Sequence, residues 1–208
     1  MQFNSPFNNQ SPQVQIPDEC QVVFVSDMFV ENYVGGAELT SEALITSSPF
    51  VVHKLHSKDV NIQTLEQGHN KFWIFGNFSS MDLNLIPTIV ANINYSIVEY
   101  DYKFCRYRSP EKHKSAENKD CDCSEQIYGK MISAFFEGAQ SLWWMSEKQM
   151  AIHHSKFPFL AKKENTVLSS VFDESFFALT KILKEENKDK KKNNWIIMGS
   201  NSWIKGVD

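Results

Sequence analysis

Two adjacent glycines, Gly35 and Gly36, stand in the stretch VVFVSDMFVENYVGGAELTSEALI, where a short apolar run gives way to a loop and then to a helical pattern. Lacking Cβ atoms, they let backbone N–H groups approach an anion closely, and a helix opening near Ala37 would add the positive end of its dipole. A tight turn into that helix is the plainer use of the same pair, because two glycines outside a G-x-G-x-x-G frame serve both purposes. Carboxylates follow at comparable places: Asp27, Glu38, Glu99 and Asp101 fall at strand ends or in first helical turns. A glycoside-hydrolysing pair needs two of them held ~5–9.5 Å apart, which position along the chain leaves open. A phosphorelay receiver would need an acceptor aspartate after its third strand, and Gly76 and Asn77 are found there.

Cys105, His113, Cys121 and Cys123 share one polar stretch and offer zinc-type ligands. A C-x-C with a distant third cysteine departs from the paired C-x2–4-C of structural zinc sites, so the expectation is surface thiols or an opportunistic disulfide, with no metal and no cofactor. His153 and His154 are neighbours and would point ~100° apart on a helix, too divergent to chelate one ion; both are expected to be solvated. Trp143, Trp144, Phe135, Phe136, Phe157 and Phe159 could stack on sugars, but aromatics in apolar strands more often fill a core.

Strand-like runs at 22–26, 51–55, 72–75, 96–100, 141–145 and 167–169 must position these residues, with helical spacing or helix formers at 37–45, 62–67, 83–92 and 127–137. The last would bury Ile127, Met131, Ala134 and Phe135 on one face. Such alternation predicts an α/β domain, a Rossmann-like parallel sheet flanked by helices. The polar stretch KFCRYRSPEKHKSAENKDCDCSEQ reads as a long inserted loop.

With 208 residues, 42% of them apolar, the chain can bury a substantial core. A formal charge of −4 supplies no basic field for nucleic acid, which is not expected as a partner. No run of ~18 apolar residues is present, so no transmembrane segment is expected, and the absence of a signal-like core at the start points to the cytoplasm. Residues 1–20, rich in Asn, Gln, Ser and Pro, read as a loosely attached extension; residues 21–180 read as the domain, 181–194 as a charged linker, and 195–208 as the first strand of a further domain.

GGAE, Gly35 to Glu38, resembles the acceptor-side loop of retaining glycosyltransferases of the GT-B fold. SLWWMSEKQMAIHHSKFPFLAKKENTVLSSVFDESFF is similar to the close of that family's first domain, with Ser146 and Glu147 at a strand end, a helix, and a short strand leading to Asp173. MGSNSWIKGVD is similar to the start of the nucleotide-sugar domain, Gly199 and the Lys205 and Gly206 pair keeping the spacing. The resemblance implies the N-terminal half of a GT-B architecture, binding a nucleotide sugar and a hydroxyl acceptor, glycan or small molecule. It further implies that Gly35, Gly36 and Glu38 line the acceptor or phosphate loop, and that Lys205 neutralises the diphosphate beside Ser200, which replaces the family's arginine. In EYDYKFCRYR, Tyr100 takes the place of a histidine and Asp101 keeps an aspartate that would orient the acceptor; capping the next turn is the other reading of Asp101. No catalytic metal is implied. A half-enzyme would be inactive alone, and the 195–208 strand would seek a partner, a homodimer being one solution. The alternative is a non-catalytic Rossmann-like module for a glycan, nucleotide or protein.

Overall fold

A computed structural model describes residues 14–169 and 174–188. Six parallel strands form one sheet: β1 (Val22–Ser26), β2 (Val52–His56), β3 (Phe72–Phe75), β4 (Asn94–Glu99), β5 (Ser141–Trp144) and β6 (Glu164–Val167), in the order β2-β1-β3-β4-β5-β6. Between them run α1 (Gly36–Ser47), α2 (Ile62–Gln67), α3 (Ile86–Asn92), α4 (Pro110–Glu117), α5 (Ile127–Gly138) and α6 (Glu147–Lys156), and α7 (Glu174–Glu186) follows β6. This is the Rossmann-like α/β arrangement expected from the alternation. Among the described residues no helix is long and apolar enough to cross a membrane.

Strand alternation divides the side chains between two faces. Val23, Val25, Trp73, Phe75, Tyr95 and Ile97 belong to the main core, together with Leu65 of α2, Ile89 of α3 and Phe135 of α5. Phe75 is the hub, with Phe78, Tyr95 and Phe135 set edge-on to it at ring distances of 6.5, 5.6 and 5.1 Å. Each such ring contributes ~1.5–3 kcal/mol by leaving water. On the opposite face Val22, Phe24, Phe72, Ile74 and Trp143 line, with Leu44 of α1, an apolar groove of about 510 Å³. As expected, Trp144, Phe135, Phe136 and Phe157 are core.

Several expectations are corrected. Residues 14–20 are no loose extension: Ile16 and Cys20 are buried, and the Ile16 N–H donates to the Gln67 side chain at 3.1 Å. The face of α5 is also different, since Ile132, Phe135 and Phe136 are buried whereas Ile127, the helix's first residue, is 79% exposed. β6 starts at Glu164, earlier than 167, because Asn165 is tied inward by the Trp144 indole N–H (2.7 Å) and by the carbonyls of Leu160 and Lys163. The polar insertion contains α4, opened by Ser109, whose Oγ accepts from the Lys112 N–H (3.2 Å), with Pro110 at its first position and left-handed Asn118 at its end. Finally, α7 crosses the boundary placed at 181. The expected strand at 195–208, with Ser200 and Lys205, lies outside the described residues.

Candidate functional site

The order reverses between β1 and β3, their chain neighbours leaving toward opposite edges, and in open parallel sheets ligands bind beyond the carboxyl ends at such a point. Asp27 closes β1 there. Its carboxylate accepts from the Ser57 hydroxyl (2.5 Å) and from the backbone N–H groups of Ser79 (3.1 Å) and Ser80 (3.0 Å), joining the loops after β1, β2 and β3. Burial disfavours its charge, but those hydrogen bonds outweigh burial and hold the carboxyl below its ordinary range. Asp27 is therefore a fixed structural clamp.

α1 enters the same edge with polar residues on its buried side: Glu38, Thr40 and Ser41. Ser41 and Tyr100 share a 2.7 Å hydrogen bond, so the first turns of α1 meet the end of β4 through a phenol that burial keeps protonated. Gly35 is the N-cap, with extended backbone (φ −133°), and a Cβ there would collide with the side chains of Glu38 and Tyr33. Gly36 faces open space, nothing lying within 4 Å of where its Cβ would be. Neither glycine adopts a positive φ, so the turn itself demands neither.

Asp101 lies just beyond β4 and does not cap the next turn through its side chain. Its carboxylate makes an ion pair with Arg108, and Oδ1, 3.6 Å from the Lys103 ammonium, has no hydrogen-bond partner. Its carbonyl accepts from the Gln149 amide of α6 at 2.8 Å, which fixes its backbone. Arg108 reaches across to Ser79 Oγ (2.6 Å) and Asn77 Oδ1 (3.0 Å) while its Nε–H stays unpaired. Its φ is +54°, a left-handed conformation that costs a residue bearing a Cβ ~1–2 kcal/mol and persists only where its surroundings impose it. Sequence reading passed over Arg108, since an arginine in a charged stretch looks like solvated surface. Nothing local in the sequence marks it.

Beneath this pair Glu99 and Lys103 are almost wholly buried, with Glu99 accepting from the Lys103 ammonium (3.0 Å) and N–H (2.9 Å). Burial pushes the Glu99 carboxyl up against the pull of Lys103. His153, expected in solvent, is buried: its ring stacks on Tyr102 and Phe136, lies 4.7 Å from Trp144, and its Nε2 is 4.0 Å from Glu99. α6 turns that face inward because Gln149, one helical turn earlier, is anchored to Asp101 and to the Met145 N–H.

The structure thus gathers Glu38, Tyr100, Asp101, Arg108, Asn77 and Ser79 along one edge. A cavity of about 220 Å³ opens beside them, lined by Ser79, Lys103, Arg106, Arg108 and Tyr128. Its cations are already held: Lys103 by Glu99, Arg106 by Glu117 (2.6 Å) and Arg108 by Asp101. Cys105 also lines this cavity and clusters with His113, Cys121 and Cys123, all four buried and the cysteines free of disulfides, which corrects the expectation of surface thiols. Among the described residues these are the ones that could hold a metal ion.

The chain matches no family model, no curated protein and no solved structure.

Proposed function

We propose that the chain is the acceptor-side domain of a retaining glycosyltransferase, the N-terminal half of a GT-B architecture, which holds a hydroxyl acceptor while a second domain presents the nucleotide sugar. The observation that carries this reading is the polar cluster at the reversal point of the sheet, above all the strained Arg108 braced by Asp101, Asn77 and Ser79. The Asp101 and Arg108 side chains, 26% and 38% exposed, offer an acceptor and a donor side by side, a match for a sugar hydroxyl that does both, while the unpartnered Oδ1 and Nε–H lie buried behind that exposed part. The ion-paired state of Lys103, Arg106 and Arg108 argues that this edge does not neutralise a diphosphate. That role falls to the second domain, beginning with Lys205 beside Ser200, while Gly35, Gly36 and Glu38 face the reacting groups from this side. The enzyme works in the cytosol, where its cysteines stay reduced, and residues 195–208 are the segment through which a homodimer would form. The pairing of Lys103, Arg106 and Arg108 also favours the second reading, a non-catalytic Rossmann-like module that binds a glycan, nucleotide or partner protein.

Calorimetry tests the assignment, using uridine and guanosine diphosphate sugars and a panel of soluble oligosaccharides. Nucleotide sugars are expected to bind at about millimolar or weaker, near −4 kcal/mol. An oligosaccharide is expected to bind to the unaltered chain and to lose about tenfold or more, ~1.4 kcal/mol, on Arg108→Gly, which suits the left-handed backbone. Micromolar nucleotide-sugar binding, or acceptor binding indifferent to Arg108→Gly, overturns it.

A further inference from the structure

We propose that Cys105, His113, Cys121 and Cys123 bind one zinc ion, a structural centre that locks the excursion between β4 and α5 and so the turn that presents Arg108.

The donor set comes first. Three sulfurs and one imidazole nitrogen converge with all their ligand atoms within 4.8 Å of one another. His113 Nδ1 lies 3.3 Å from Cys123 Sγ and 3.8 Å from Cys105 Sγ. A tetrahedral zinc with Zn–S ~2.3 Å and Zn–N ~2.0–2.1 Å requires sulfur-to-nitrogen edges of about 3.6 Å and sulfur-to-sulfur edges of about 3.8 Å. The two sulfur-to-nitrogen distances bracket the first of these lengths, and the 4.8 Å limit means that no pair has to close by more than about 1 Å for an ion to enter. Soft thiolates with one imidazole in a tetrahedron select zinc over the harder divalent ions.

The far nitrogen of the imidazole gives an independent indication. His113 is 1% exposed, yet its Nε2 has no hydrogen-bond partner, and the carboxylate of Asp122 lies 3.8 Å away. With Nδ1 on a metal, Nε2 carries the proton and Asp122 becomes the outer acceptor, the carboxylate-to-histidine relation that orients metal-bound imidazoles. A merely packed core histidine would leave that polar atom without compensation, a cost of ~1–3 kcal/mol.

Composition supplies the third argument. The segment is dominated by charge, and α4 buries a single side chain, His113 itself. So little apolar surface is a poor reason for two short helical turns and a left-handed Asn118 to settle into one arrangement, whereas metal binding supplies folding free energy directly. The three cysteines bracket α4, Cys105 before it and Cys121 and Cys123 after it, with His113 on the helix itself. The Arg108 N–H donates to the Cys105 carbonyl at 2.8 Å, so fixing Cys105 fixes the turn in which Arg108 takes its positive φ. Gly129 lets the first turn of α5 lie directly on the Cys123 carbonyl, closing the other side.

The full chain, produced with zinc in the medium and analysed by elemental mass spectrometry, should carry about one zinc per chain. Cys121→Ser should bring this below roughly a tenth, while His113→Cys, which keeps four soft donors, should retain the metal. Because a ligand variant can fail to fold, the unaltered chain is also reconstituted with cobalt(II), for which intense tetrahedral visible bands and a sulfur-to-cobalt charge-transfer band are expected. Chelation should raise amide exchange across residues 105–123 and leave β1 protected. A folded chain without stoichiometric zinc that shows no thiolate-bound cobalt spectrum overturns the proposal, as does a disulfide among the three cysteines or zinc that survives Cys121→Ser. These readouts concern metal alone and hold whatever the outcome for sugar binding.

Discussion

His153→Phe separates one term of acid stability from everything around it. The imidazole sits among Tyr102, Phe104, Phe136 and Trp144, and burial holds its pKa down to about 4, from an ordinary value of 6.5. Above pH 6.5 the ring is neutral in both folded and unfolded chains and proton linkage contributes nothing. Below it the unfolded chain takes up a proton that the folded chain refuses, so stability falls as pH drops, until the folded ring also protonates near pH 4. Across that interval of 2.5 pH units, at ~1.36 kcal/mol each, the loss is roughly 3 kcal/mol. The groups facing the ring include Glu99, Asp101, Lys103 and His154, and Glu99 has the opposite sign: its raised pKa makes the folded form the better proton acceptor over much of the same range. The unaltered protein can therefore show a flat profile, and only the difference between proteins isolates the histidine. At pH 7 the phenyl ring keeps the stacking and loses the hydrogen bond between Nδ1 and the Gln149 carbonyl (3.0 Å), a change of about 1 kcal/mol. By pH 4 the variant should have gained roughly 3 kcal/mol relative to its parent. Urea unfolding followed by tryptophan fluorescence at pH 7, 5.5 and 4.5 measures it, and any metal lost in acid cancels between the two. A stability difference constant within about 0.5 kcal/mol over this range would refute the reasoning, because it would mean that the ring titrates as an exposed histidine does.

Three further outcomes are expected. Gly36→Ala should leave stability within about 0.5 kcal/mol by chemical denaturation, because the added methyl meets nothing and the backbone is not left-handed; Gly36→Val should likewise fold, yet abolish transfer in a protein that carries a donor domain. Gly129→Ala must push the first turn of α5 off the Cys123 carbonyl and should cost about 1–3 kcal/mol, read as a lowered urea midpoint with unchanged slope. Light scattering over a concentration range, with and without residues 195–208, should show self-association that depends on the segment; a monomer throughout would remove the homodimer.

What was legible in the sequence was whatever the backbone period dictates. β1 and β3 were read to the residue, because runs such as VVFVS and FWIF are long enough in β-branched and aromatic residues to admit one interpretation. β6 was misplaced because its identity lies in tertiary bonds from Asn165, which have no local signature. α4 did have one, Ser-Pro-Glu in capping order, but the charges around it masked the helix. The site was legible only in part, for the same reason. Gly36 could be named from a loop entering a helix and Asp101 from a strand end, whereas Arg108 acquires meaning from a backbone angle and from partners beside the end of β4 and in the loop after β3. His113 follows the same logic in reverse. Its spacing from the three cysteines matches no paired-ligand pattern, and it is the fold of α4 between them, not the interval along the chain, that turns its Nδ1 to the sulfurs. The stretch read as a long inserted loop thereby holds the turn in which Arg108 takes its left-handed conformation beside Asp101.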